Sequence, residues 1–192
     1  SDMVEDGSGD EAEDARRRDR RTAFLHRVES SIAALPQVSR VGLGFHLPVI
    51  DGAGTNGDLA IVGDPPAEAG RAPLAEIQLV TPAYFETLGV ALLHGRNFRP
   101  LGQEGRDTVL VNQELVRRHF DGRDPLGHAL LIADGRERRI VGVVADVHQD
   151  GFGTTTKPEV YFPYDALATG DVALLVRSEA APVALVAAVR AE

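Results

Sequence analysis

Apolar residues at Phe24, Leu25, Val28, Ile32 and Leu35 recur at spacings of three and four, which predicts a helix from Thr22 that Pro36 stops. Val38, Val41 and Leu43 then suggest a short strand. Residues 51–73 are punctuated by Gly and Pro and predict exposed loop, interrupted by one strand over 59–62. A second strand covers 74–80. After it, Thr81 is a candidate N-cap, Pro82 suits a first turn, and Tyr84, Phe85 and Leu88 share an inner face ended by Gly89. A helix of barely two turns must be held by packing. Strands follow over 90–93 and 108–111, and Asn112 is a plausible cap for a helix carrying Leu115, Val116, His119 and Phe120. Runs 129–133 and 139–147 flank Asp134-Gly135, a strong hairpin signal, and Gly142 inside the second run points to a bulge or a close backbone approach. Strands over 160–163 and 172–176 and a helix opened by Pro182, through Val183, Val186 and Val189, complete the pattern. Eight or nine short strands and four helices in frequent alternation give a mixed α+β class.

Ahead of this pattern, 1–14 carries Asp2, Glu5, Asp6, Asp10, Glu11, Glu13 and Asp14 with no basic residue, and Arg16, Arg17, Arg18, Arg20 and Arg21 follow. Such charge blocks are usually solvated, so 1–21 is expected to be a disordered arm, with Ser1-Asp2-Met3 reading as a cloning scar. The net charge of −9 disfavours a nucleic-acid binder, which needs a basic stripe. The absence of Cys excludes disulfides, thiolate metal sites and thiol nucleophiles. No apolar run approaches the ~20 residues of a spanning helix.

Candidate chemistry is thin. Six histidines (His26, His46, His94, His119, His128 and His148) show no HxH, HxxxH or HExxH spacing. Asp146, His148 and Asp150 alternate and would share one side of an extended segment, a candidate divalent-cation or hydrolytic group. The bland alternative is a polar strand end. Thr154-Thr155-Thr156 beside Lys157 is hydroxyl-rich, as loops often are. Gly42-Leu43-Gly44 lacks the further Gly and Lys of a phosphate loop, and nothing pairs Asp107 with Glu114 for acid–base work. No GxSxG elbow occurs. The residues alone therefore call for no catalytic group, no metal and no cofactor.

Several phrases together resemble the MacB-like periplasmic core domain of FtsX-like ABC transporter permeases. They are Val80-Thr81-Pro82-Ala83-Tyr84-Phe85-Glu86-Thr87-Leu88-Gly89 with Leu93-His94-Gly95-Arg96-Asn97-Phe98; Val109-Leu110-Val111-Asn112-Gln113-Glu114-Leu115-Val116-Arg117-Arg118-His119-Phe120 with Asp124-Pro125-Leu126-Gly127; and Ile140-Val141-Gly142-Val143-Val144-Ala145-Asp146-Val147 with Pro158-Glu159-Val160-Tyr161-Phe162-Pro163-Tyr164. The resemblance implies a two-lobed domain outside the cytoplasmic membrane, inserted between two transmembrane helices of a bacterial permease. A porter-like βαβ lobe would comprise 22–88 and 166–192, and an inserted small α/β lobe would comprise 89–165. It implies transmission of conformational change driven by a partner ATPase subunit, contact with a periplasmic adaptor, lipoprotein or peptide, and no catalysis. Recognition is expected on loops 46–58 and 152–157. Tyr84, Phe85, Phe120, Tyr161 and Phe162 are expected in the core. The family usually has a strand before the first helix and another after the last, and neither is evident here, so any homodimer is expected to pair at an open sheet edge.

Overall fold

Helix α1 (Ser8–Ala33) begins well before the expected Thr22. The computed structural model describes residues 8–45, 55–68, 71–100, 103–132, 135–147, 155–166, 172–179 and 182–191. Over 8–21 the expected disordered arm is helix instead. Acidic residues fall in its first turns, where the helix dipole favours them, and Glu13 and Arg17 pair one turn apart at 2.6 Å. Of the predicted apolar face, Leu25 and Ile32 are buried and Val28 and Leu35 half-buried, whereas Phe24 is 54% exposed. Phe24 lies about 100° around the helix from Leu25, off the stripe that 25, 28, 32 and 35 define.

The strands are β1 (Val38–Gly44), β2 (Thr55–Ile61) and β3 (Leu74–Val80), then, after helix α2 (Tyr84–Leu88), β4 (Leu92–Gly95) and β5 (Thr108–Asn112). Helix α3 (Gln113–His119) leads to β6 (Ala129–Ile132), β7 (Arg136–Val144) and β8 (Glu159–Pro163). A short helical turn (Tyr164–Ala166), β9 (Ala173–Ser178) and helix α4 (Pro182–Ala191) end the chain's described elements. The N-terminal half of β2 pairs with β3 and its C-terminal half with β6, so pairings β2-β6-β7-β5-β8-β3 close a ring of six strands. Beyond the ring, β1 continues from β3 at Gly44–Val80 and β9 flanks β1. Strands from 22–88 and 89–165 thus share one sheet.

Alternate side chains of these strands divide between two cores. One gathers Ile77, Leu79, Val109, Val111, Ile140, Val160 and Phe162 with Leu25 of α1 and Leu115 and Phe120 of the α3 segment. The other gathers Val80, Leu110, Val144 and Tyr161 against Tyr84, Phe85 and Phe98. Burial on both faces explains why 108–111 and 160–162 read as continuous β-branched and aromatic runs. All five aromatics expected inside are at most 3% exposed. Phe85 meets Tyr84 and Tyr161 edge-on at 5.5 and 4.9 Å between ring centres, geometry worth about 0.5–1.5 kcal/mol per pair beyond area burial.

Three local expectations hold and two need correction. Asn112 caps α3, its side chain accepting from the Leu115 amide, and Gly89 ends α2 at φ 77°. Thr81, by contrast, does not cap α2: the N-cap is Ala83, without a side-chain bond. The Thr81 hydroxyl is taken by β1, accepting from the Leu43 amide at 3.0 Å. Strand β7 starts at Arg136, three residues early, because its ladder with β6 runs back to Ile132–Arg136. Arg138, charged but 2% exposed, lays its guanidinium 4.8 Å from the centre of the Phe162 ring. The bulge expected at Gly142 is present: Ile140 faces Val109 and Gly142 faces Leu110, leaving Val141 as the extra residue. A Cβ at Gly142 would run into the Arg96 carbonyl. Likewise a Cβ at Gly42 would sit 2.8 Å from Tyr84 Cα, so a bare strand lets the five-residue α2 seat on β1.

Candidate functional site

The parallel register of β3 and β8 sets Glu76 beside Glu159 and Gln78 beside Tyr161. All four are buried, at 1% exposure or less, on the strand face away from Ile77 and Leu79. Lys157, just before β8, places Nζ 2.7 Å from Glu76 Oε1. The Tyr161 hydroxyl donates to the Glu159 carboxylate. Burial, reinforced by the negative charge of Glu159, pushes the Tyr161 phenol well above its ordinary value, so it stays a donor. Glu76 Oε2 and both polar atoms of the Gln78 amide make no hydrogen bond.

Asn112 joins this cluster to α3. Its Oδ1 accepts from the amides of Leu115 and Glu159, each at 3.0 Å, and its Nδ2 donates to the Lys157 carbonyl at 2.8 Å. Two residues on, the Glu114 amide donates to Asp146 Oδ1 at 2.7 Å. The Glu114 carboxylate is buried between Arg117 and Arg118, and Arg118 also donates to the Thr156 carbonyl at 3.2 Å. These contacts tie three strands and one helix together. A general acid or base must reach a substrate proton, and carboxylates shut from solvent and bonded to Lys and Arg are placed for structure instead.

Of the metal or hydrolytic group expected at Asp146, His148 and Asp150, only Asp146 lies among the described residues. Its carboxylate serves the first turn of α3 and lies 3.9 Å from Arg117. Among the described residues no group of three His, Asp or Glu is placed to hold a metal ion. Thr155 and Thr156 precede Lys157 in the segment entering β8, while Thr154 lies outside the described residues. Asp107 contributes its backbone carbonyl to Arg139, at 2.7 Å, and is not brought to Glu114 by any bond between them. The expected recognition loops are described only at their ends. Residues 55–58 belong to β2, not loop, and Lys157 is engaged with Glu76.

Two further carboxylates brace the surface. Arg123 forks onto Asp64 at 2.8 and 2.7 Å, and the Asp64 carboxyl is held below its ordinary value by that bond. Arg96 forks onto Glu104 at 2.8 and 3.0 Å, while the Arg99 amide and the Thr108 hydroxyl also donate to Glu104. Burial pushes Glu104 up, but these bonds together hold it below the usual carboxylate range. Strand β4 is exposed at every residue, Leu92 and Leu93 by 43% and 38%, and among the described residues it pairs only with β7. At the far end of the sheet, β9 pairs only with β1 among the described residues.

The sequence contained one overlooked signal. Glu76 and Gln78 alternate with Ala75, Ile77 and Leu79, and such alternation ordinarily marks a solvent face. Here that face is covered. The Glu159 partner could be found only through the β3–β8 register, which joins residues 83 positions apart.

Among solved structures, the extracellular domain of the ABC-type transporter YknZ from Gram-positive bacteria matches with a TM-score of 0.54 and 15% identity, over 81% of this chain and 73% of that one. The periplasmic region of MacB from Actinobacillus actinomycetemcomitans matches with a TM-score of 0.58 and 14% identity, over 85% of this chain and 69% of that one. Identities this low establish a shared fold. No curated protein matches the chain at a significant level. The model of the MacB-like periplasmic core domain matches residues 7–192, nearly the whole sequence, and the chain therefore belongs to that family.

Proposed function

We propose that this chain is the extracytoplasmic domain of a bacterial ABC-type permease, that it relays conformational change between the membrane and its partners, and that it performs no chemistry of its own. The observation that carries this reading is the family match over 7–192. The fold shared with extracellular and periplasmic transporter domains supports it. So does the engagement of Glu76, Glu114, Asp146 and Glu104 by Lys, Arg or backbone donors, an arrangement suited to a rigid relay. Among the described residues no helix is long and apolar enough to cross a membrane, so anchoring would fall to other parts of the parent protein. In this reading an ATPase subunit drives the parent, and the domain contacts an adaptor, lipoprotein or peptide. Sections 22–88 with 166–192 act as the porter-like lobe and 89–165 as the inserted lobe. A homodimer of the domain would join at the open edge of β4 or β9. Monomeric light scattering at high protein concentration would rule that out.

These 192 residues hold no Cys, so a cysteine placed among them can be read against the unsubstituted full-length parent as background. Leu74→Cys, at a position 55% exposed, should react with a membrane-impermeant maleimide in intact cells that express the full-length parent. Labelling only after lysis would overturn the placement. The alternative of a metal-dependent domain gains nothing from Asp146, whose carboxylate is spent on the α3 amide and Arg117.

A further inference from the structure

Helix α1 packs one side on the sheet and carries a basic strip on another. Leu25 and Ile32 are buried, and Arg21 is held by the Tyr164 hydroxyl at 3.0 Å. Arg16, Arg20 and Arg27 are exposed. At 3.6 residues per turn they lie ~140–180° around the helix from Leu25. Phe24, 54% exposed, stands between Arg20 and Arg27 along the chain. The four side chains share ~80° of the helix surface and ~17 Å of its length. Among the described residues, none forms a hydrogen bond or ion pair with Arg16, Arg20 or Arg27. We propose that this strip docks α1 on the anionic headgroups of a phospholipid bilayer, with Phe24 entering the boundary between headgroups and acyl chains. This docking rests on the permease reading, which sets the domain beside a membrane.

Charge decides the class of partner. The chain carries −9 overall, so three unpaired guanidinium groups on one side are opposite in sign to the rest of the molecule. An anionic surface attracts that side and repels the others, which fixes the orientation of docking. The acidic side chains described in α1 do not cancel the strip. Glu13 is bonded to Arg17 at 2.6 Å, and Glu29 accepts from Thr81 on the sheet side at 3.2 Å. Asp19 lies with His26 on the other flank, in the groove shared with Glu104, Arg106 and Asp165. An acidic protein would match the arginines equally well, but it gives no reason for an exposed aromatic ring among them. A helix lying in the membrane interface does, because it combines basic residues with Phe, Trp or Leu set into the headgroup layer. Guanidinium groups also fork onto phosphate oxygens through two parallel bonds. Each basic residue at an anionic surface contributes about fivefold in affinity, so three contribute about a hundredfold. Binding of that order is weak for a free domain and sufficient for one already tethered at the bilayer.

Co-flotation of the 192-residue chain with vesicles tests the docking, comparing equal parts of phosphatidylglycerol and phosphatidylcholine with phosphatidylcholine alone. The chain should bind the anionic vesicles and not the neutral ones, and added salt should release it. Arg16→Gln, Arg20→Gln and Arg27→Gln should each weaken binding about fivefold, and the three together about a hundredfold. These 192 residues hold no Trp, so Phe24→Trp supplies a single fluorescent reporter. Its emission should shift to the blue on anionic vesicles, and lipids brominated on the acyl chain should quench it. No binding to anionic vesicles, equal binding to neutral ones, full binding by the triple variant, or Phe24→Trp emission unmoved on bound vesicles would each overturn the proposal. Binding to soluble polyglutamate with none to vesicles would assign the strip to an acidic protein and overturn it as well. Should the triple variant fail to fold, Phe24→Trp still decides. Failure on vesicles leaves the permease reading standing, whereas labelling of Leu74→Cys only after lysis overturns that reading whatever the vesicles show.

Discussion

Replacing Asn112 by Ala would remove one side chain and strand three backbone groups. The residue is fully buried where β5 passes into α3. It satisfies the Leu115 and Glu159 amides and the Lys157 carbonyl at 2.8–3.0 Å. Loss of an N-cap destabilises by about 0.5–2 kcal/mol. Each buried backbone group left without a partner adds about 1–3 kcal/mol. We expect Asn112→Ala to lose roughly 3–6 kcal/mol, a large share of the ~5–15 kcal/mol that holds most domains folded. Asn112→Asp isolates the donor. A carboxylate keeps both amide bonds and suits the N-terminus of α3, but it sets an oxygen against the Lys157 carbonyl, so a smaller loss of about 1–3 kcal/mol is expected. Urea denaturation with an unchanged m-value would measure both. Asn112→Ala losing less than about 1 kcal/mol, or Asp being as harmful as Ala, would show that the three bonds do not hold β5, α3 and β8 together.

Other outcomes follow from the same packing. Gly42→Ala puts a Cβ 2.8 Å from Tyr84 Cα and 3.0 Å from the Tyr84 nitrogen, backbone that cannot yield as a side chain could. It should lose about 1–3 kcal/mol and weaken the tyrosine near-ultraviolet dichroism; an unchanged melting temperature would refute the contact. Gln78→Met keeps the volume and removes two buried polar atoms that make no hydrogen bond. Stability should rise by about 1–2 kcal/mol, and a fall would mean that the amide is satisfied. Glu104, held below the usual carboxylate range, contributes stability present above that range and lost as pH falls through its lowered value. Glu104→Gln should therefore melt earlier at neutral pH and show a flatter acid limb, whereas an acid limb parallel to the wild type would refute the assignment.

Local rules that act within a few residues could be read from the chain. Asn112 before a helical stripe, Gly89 after one, and Gly142 inside a strand each occupy the structural position their chemistry implies. Rules decided by partners far along the chain could not. Thr81-Pro82 has the form of a cap, yet the hydroxyl is drawn off by Leu43 and Glu29, some 38 and 52 residues earlier. The strand expected from 139 begins instead at Arg136, where the β6 ladder and, at Arg138, the Phe162 ring hold a charged run in the sheet. In α1 the charge blocks suggested an arm, and it was the acidic residues in its first turns that should have counted.

The candidate site illustrates the same division at the level of function. The alternating polar residues Asp146, His148 and Asp150 drew attention because their spacing is visible locally, but Asp146 spends its carboxylate on the neighbouring helix. The cluster that the fold does build, Glu76, Gln78, Glu159, Tyr161 and Lys157, draws on two strands brought side by side by parallel pairing. A parallel pair needs a long crossover, so its members are always remote in sequence. Family membership is legible instead in phrases of sequence spread along the chain, and the family match over 7–192 agrees with them. Those phrases are largely packing and turn positions: Tyr84 and Phe85 in a core, Asn112 in a cap, Gly142 under a carbonyl. What they preserve is the scaffold. For a domain proposed to relay motion, the scaffold would itself be the working part.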